Sequence, residues 1–132
     1  MSGGKHMSLN KILLIGNLGS DPEIRYTPSG KPVTSFPVAT NRRFKSEGEV
    51  HQETEWFHVV TFGRLAEVCS EFLKKGKPVF IEGRMHTRSW VDAEGGKHFR
   101  TEVIGEAMTM IGKRNGDNGE SQSQTAENPD PF

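Results

Sequence analysis

Hydrophobic and polar positions alternate most cleanly over Pro78–Trp90, PVFIEGRMHTRSW. At strand period Val79, Ile81, Gly83, Met85 and Thr87 point one way, and Phe80, Glu82, Arg84, His86, Arg88 and Trp90 the other. The first set suits a core. The second puts two arginines and a histidine between rings, which suits a flexible polyanion carrying flat bases: guanidinium groups meet phosphates and rings stack on bases. An ordinary amphipathic strand with a solvated charged face has the same pattern, so the rest of the chain must decide.

In chain order, Asn10–Leu18 is a first strand, apolar on both faces over Ile12–Ile15, as in a strand covered on both sides. Gly16 and Gly19 predict a bend, a bulge or a close backbone approach. Glu23–Tyr26 is a short extended piece, and Thr27-Pro28-Ser29-Gly30 is a turn. Lys31–Asn41 is a second strand, in which Pro37 implies an edge or a bulge. Arg42–Gln52 is a polar loop or long hairpin tip that sets Phe44 among Arg42, Arg43 and Lys45. A ring among three cations fits contacts to bases and phosphates; a hydrophilic hairpin anchored by one Phe is the plainer reading. Glu53–Phe62 is a third strand with aromatics on both faces, so either Trp56 and Phe62 or Phe57 belongs to the core.

Gly63–Lys75 is the one convincing helix. Leu65, Val68, Cys69, Phe72 and Leu73 form its apolar stripe, Lys74 and Lys75 fall in its last turn, and Gly76 follows as the C′ residue. After the Pro78–Trp90 strand, Val91–His98 is a glycine-bearing loop and Phe99–Ile111 a last strand. Residues 1–9 read as an expression remnant, 10–112 as one domain, and 113–132 as a disordered acidic tail, too polar to fold.

Strand, strand, strand, helix, strand, strand is the layout of an OB-fold, an all-β five-stranded Greek-key barrel with one helix between strands 3 and 4. In that class the loops at 42–52 and 91–98 would flank the concave face, where oligonucleotides usually sit.

Composition and charge change this picture little. Hydrophobic residues make up 33% of the 132, which leaves part of the chain outside a core. No apolar run is long enough to span a membrane. The lone Cys69 excludes an intrachain disulfide, suits a reducing cytoplasm and falls on the helix stripe, as a core residue would. Net charge is zero, but the tail sets Lys113 and Arg114 against Asp117, Glu120, Glu127 and Asp130, so the body is slightly basic. The carboxylates Asp21, Glu23, Glu53, Glu55, Glu82, Glu102 and Glu106 are scattered, without a metal-ligand or catalytic constellation. His58 and His86 could pair across strands at a metal, but two lone histidines are more often structural or surface groups. The reading is therefore a binding protein, neither enzyme nor cofactor carrier. An OB-fold module that binds a partner peptide is the competing class, and it predicts no tryptophan quenching by oligo-dT.

The strings NKILLIGNLGSDPEIRYTPSGKPV, TEWFHVVTFGRLAEVCSEFLKKGKPVFIEGR and TRSW, in that order, resemble the bacterial single-stranded DNA-binding proteins over about residues 10–111. The resemblance implies a homotetrameric OB-fold protein of the bacterial cytoplasm and nucleoid. Such a protein wraps single-stranded DNA without sequence preference during replication, recombination and repair. It implies base stacking on Trp56, Phe62 and Trp90, with Phe44 where a loop aromatic is expected. It implies phosphate contacts from Arg25, Arg64, Lys74, Arg84 and Arg88, beside the loop cations Arg42, Arg43 and Lys45. It also implies that Asp130, Pro131 and Phe132 form a tip that docks into genome-maintenance enzymes. Three features depart from the family pattern. Phe44 replaces a more usual Trp, His58 stands where Arg is common, and a single acid directly precedes Pro131.

Overall fold

The protein is described by a computed structural model over residues 6–112 and 122–125. Seven strands and one helix follow in order: β1 (Ile12–Leu18), β2 (Glu23–Tyr26), β3 (Pro32–Ser46), β4 (Glu49–Phe62), α1 (Gly63–Phe72), β5 (Pro78–Val91), β6 (Lys97–Met110) and β7 (Gln122–Thr125). The sheet runs β1-β5-β6-β4-β3-β2, and a further β1–β3 pairing closes β1, β5, β6, β4 and β3 into a five-stranded barrel. This is the expected OB-type layout, with the helix between the third and fourth barrel strands.

Inward positions follow strand period, except in β6, where one extra residue shifts it between Val103 and Met108. Leu14 and Leu18 of β1, Phe36 and Val38 of β3, Val59 of β4, Val79 and Ile81 of β5, and Val103 and Met108 of β6 form one core with Leu65, Val68, Cys69 and Leu73. The ambiguity at Glu53–Phe62 resolves by burial. Val59 is fully buried and Phe57 packs on the core, while Trp56 remains 59% exposed. Cys69 is a core residue, and burial pushes its thiol up to about 12.

Close approaches explain three glycines and a proline. A Cβ at Gly16 would collide with the carbonyl oxygen of Ala39, and one at Gly83 with that of Ile104. Gly83 lies beside a bulge, where Glu82 faces Ala107 and Gly83 faces Gly105, which leaves Glu106 as the extra residue. A Cβ at Gly19 would come within 2.5 Å of the Trp56 ring. Pro37 lies on β3 between the end of the β2 pairing at Ser35 and the start of the β1 pairing at Val38, and its carbonyl accepts the Gly19 N–H at 2.9 Å. The missing N–H therefore falls at a gap in the ladder.

Four expectations need correction. Of the two readings of residues 42–52 the loop is wrong and the long hairpin holds: β3 and β4 stay paired out to Ser46 and Glu49, as a ribbon that turns at Glu47-Gly48. Likewise the 91–98 loop contracts to a turn at Asp92–Gly96, because β5 and β6 stay paired out to Val91 and Lys97. In both, backbone pairing continues beyond the apolar core and so left no hydrophobic signal. The helix ends at Phe72 and not at Lys75, so Lys74 and Lys75 are outside its last turn and Gly76 is not C′. Leu73 turns extended and buries its side chain. Gly76 N–H then donates to the Leu18 carbonyl at 2.8 Å, and Leu18 N–H to that of Lys77 at 3.0 Å, which ties the segment to the end of β1. Finally, β1 is covered on one side only, since Leu13 and Ile15 are 57% and 63% exposed.

The polar composition of 113–132 predicts no regular structure. Gln122–Thr125 pairs with Ala107–Met110 of β6, an edge whose backbone groups need partners whatever side chains supply them. The rest of that segment, and residues 1–5, lie outside the described residues.

Candidate nucleic-acid interface

Strand pairing assembles one outer face from β2, β3, β4, β6 and β5. Val60, Ile104 and Arg84 form one row across it, and His86 faces Glu102, Arg88 faces Arg100 and Trp90 faces His98 on the next rows. On β4 the same face carries Trp56, His58 and Phe62, and pairing through Val33 adds Arg25. The predicted residues Trp56, Phe62, Trp90, Arg25, Arg84 and Arg88 thus share a face, as period two requires.

Trp56 is the open ring of the set. Gly19 lets the chain pass directly against its indole, and Pro37 lies on the same side. Phe62 is half-buried, with Lys31 Nζ 5.9 Å from the ring centroid. Phe62, Arg84, His86 and Ile104 line an open cleft of about 220 Å³. Trp90 is more covered. The Arg88 guanidinium carbon lies 4.8 Å from its ring centroid, and His98 stacks on it at 5.4 Å with an interplanar angle of 19°. Asp92 holds His98 at 2.7 Å. The hydrogen bond from His98 and those from the Gly96 and Glu94 N–H groups keep the Asp92 carboxyl below its usual range.

Charge on the face is organised around a buried acid. Glu102 is only 6% exposed, and its Oε2 lies 3.5 Å from Arg88 Nε and 3.7 Å from His58 Nε2. Arg100 Nη1 approaches His58 Nε2 at 3.5 Å. Burial lowers the His58 pKa, and the Arg100 charge adds to this; Glu102 opposes it, and Arg88 and Arg25 lower it further. His58 and His86 flank Glu102, but among the described residues no three His, Cys, Asp or Glu side chains form a group able to hold a metal ion.

The remaining candidates sit elsewhere. Phe44 falls on the opposite side of the β3–β4 ribbon from Trp56, because its partner is His51, an odd number of positions away. It stacks on His51 at 5.3 Å under Arg42, whose guanidinium is 4.6 Å from the Phe44 centroid and pairs with Glu53 at 3.2 Å. Arg43 and Lys45 alternate with it, on the Trp56 side. Arg64 opens α1 and lies 4.0 Å from Glu67. Lys74 belongs to the turn tied to the end of β1, off the sheet face. Asp130, Pro131 and Phe132 lie outside the described residues.

Sequence reasoning missed Arg100, Glu102 and His98, and the seat that Gly19 gives Trp56. The first three were legible: His98, Arg100, Glu102 and Ile104 alternate at strand period like their partners on β5. A close approach at Gly19 was among the expectations, but its partner Trp56, 37 positions away, left no local signal.

Residues 9–111 match the single-strand binding protein family. A single-stranded DNA-binding protein 1 of Chlorobaculum tepidum is 46% identical over 122 residues, which cover 91% of this chain and 75% of that protein. A Plasmodium falciparum SSB, solved in complex with single-stranded DNA, superposes with a TM-score of 0.71 at 32% identity, over 76% of this chain and 90% of that one. With the barrel closed as the element order predicted and the match spanning all of it, this chain belongs to the single-strand binding protein family.

Proposed function

We propose that this protein binds single-stranded DNA without sequence preference, by stacking bases on Trp56, Phe62 and Trp90 and holding phosphates with Arg25, Arg43, Arg84, Arg88 and Arg100. The observation that carries the reading is Trp56: a large ring, 59% exposed and backed by Gly19, on a face lined with arginines. Stacking accepts any base, because every base has a π face, and contributes about 1–3 kcal/mol per base. A duplex hides those faces, so single strands are preferred. Lys45 extends the path along the Trp56 side of the β3–β4 ribbon, and Phe44 and Arg42 serve a strand that wraps round to its other side, with Arg64 and Lys74 as outlying phosphate contacts. The relatives support the reading, one by its name and one by the single-stranded DNA in its complex.

The wider role follows from the same reading. The protein covers and protects single strands in bacterial replication, recombination and repair, without catalysis. The segment Asp130–Phe132, an acid followed by a proline and an apolar ring, docks into basic-rimmed pockets of partner enzymes. Leu13 and Ile15 are exposed on a strand whose Ile12–Gly16 stretch has a single neighbour among the described strands, which supports pairing of two copies through that edge as one contact of a homotetramer.

Titration with oligo-dT, following tryptophan fluorescence at two salt concentrations, tests the central reading. Quenching that saturates, with affinity falling as salt rises, is expected. Trp56→Ala should weaken binding by about 1–3 kcal/mol with the fold retained. No quenching by oligo-dT would turn the reading toward a peptide-binding module.

A further inference from the structure

We propose that Glu102 is a positioning residue of the strand-binding face: its buried carboxylate holds the Arg88 guanidinium by Nε and so presents the terminal nitrogens to a phosphate. The proposal rests on the single-stranded DNA reading above. An acid on a face that receives a polyanion should repel it, and a buried carboxylate is unfavourable unless paired. Glu102 is nevertheless there, with its side chain 8% exposed beneath the half-exposed side chain of Arg88. Its geometry gives a reason. One oxygen, Oε2, meets Arg88 Nε at 3.5 Å and His58 Nε2 at 3.7 Å. Arg88 in turn lies over the Trp90 ring. The guanidinium is thus held between an anion below and an indole beside it.

Contact through Nε leaves the four N–H donors on the two terminal nitrogens, which form the fork that matches a phosphate. A long side chain already held in one orientation loses less freedom when it grips a ligand. The neighbouring cations keep the face positive in spite of the acid: Arg100 reaches His58, and Arg84 lies on the same face of β5. Glu102 therefore acts through Arg88, not on the strand itself.

The test is Glu102→Gln in the full-length protein, titrated with oligo-dT by tryptophan fluorescence across a salt series. As a plain repulsive charge, Glu102 would give tighter binding and a steeper salt slope when neutralised. As a positioning residue it gives weaker binding, by about fivefold, and a slope of log affinity against log salt flatter by about 0.7, one phosphate contact. In an Arg88→Ala background Glu102→Gln should have no further weakening effect. Binding by E102Q that equals or exceeds wild type, or weakening that persists undiminished in the Arg88→Ala background, overturns the proposal. If E102Q does not fold, Glu102→Asp decides, since it keeps the charge but withdraws it by one methylene; wild-type affinity and slope in that variant overturn the proposal. Failure of the wild-type protein itself to bind would instead refute the single-stranded DNA reading.

Discussion

His58 titrates below the ordinary histidine range, because burial and the Arg100 charge disfavour its imidazolium more than Glu102 favours it. A histidine lowered in the folded state binds fewer protons there than in the unfolded chain, so stability rises with pH across that interval. The contribution is complete above the unfolded value of about 6.5. It is lost as pH falls through the lowered folded value. The thermal unfolding midpoint should therefore drop between pH 7.5 and 5.5 by more in the wild type than in His58→Gln, as scanning fluorimetry would show. Gly19 makes a second prediction at this scale. Gly19→Ala pushes a methyl group into the Trp56 ring, so the emission spectrum should shift and oligo-dT affinity should fall by less than in Trp56→Ala. An unchanged spectrum with unchanged affinity would mean that the ring needs no seat.

The β5–β6 pair depends on its bulge. Gly83 sits where the register shifts, and a side chain there meets backbone of the partner strand, which has no rotamer to escape into. Gly83→Ala should destabilise the protein by roughly 1–3 kcal/mol, measured by chemical denaturation. Arg84 follows directly and pairs with the bulged Glu106 at 3.4 Å, so the same variant should also weaken oligo-dT binding. Denaturation midpoints indistinguishable from wild type would show that the bulge relaxes without strain. Helix α1 is held by tertiary contacts: Thr34 Oγ1 donates to the Ala66 carbonyl at 2.7 Å from within the barrel. It has no side-chain cap at its start and no basic residue in its last turn, so packing, not capping, fixes its position.

For the whole molecule, the net charge of zero hides a division between a cationic face and an acidic segment beyond the barrel. Deleting Asp130–Phe132 should leave oligo-dT affinity nearly unchanged or slightly raised, while capture of helicase, exonuclease or primase partners from a bacterial lysate is lost. Retention of those partners by the truncated protein would place the contact on the barrel. Assembly has its own test. Leu13→Glu with Ile15→Glu should reduce the mass read by light scattering after gel filtration, because it puts charge on an apolar strand face. An unchanged mass would assign the subunit contact to another surface.

The barrel strands, the helix stripe and most of the strand face were legible in the sequence because each is a periodic pattern, and the order of those elements pointed to the barrel. Alternation at Pro78–Trp90 placed Arg84, Arg88 and Trp90 together, and the i, i+3, i+4 spacing of Leu65, Val68 and Cys69 placed the helix. Alternation could not say which side of Glu53–Phe62 faces inward, since aromatics occupy both; closure of the barrel decided it by burying Val59 and leaving Trp56 outside. Nor could it tell the two ribbons from loops, because their pairing is carried by backbone groups that every residue shares. The helix end was settled by Leu73 and Gly76 joining the core and β1, contacts across more than fifty residues that override a local stop signal. The seat of Trp56 on Gly19 and the hold of Glu102 on Arg88 likewise exist only once distant strands meet, for a single glycine or glutamate in a sequence carries no mark of what will lie against it.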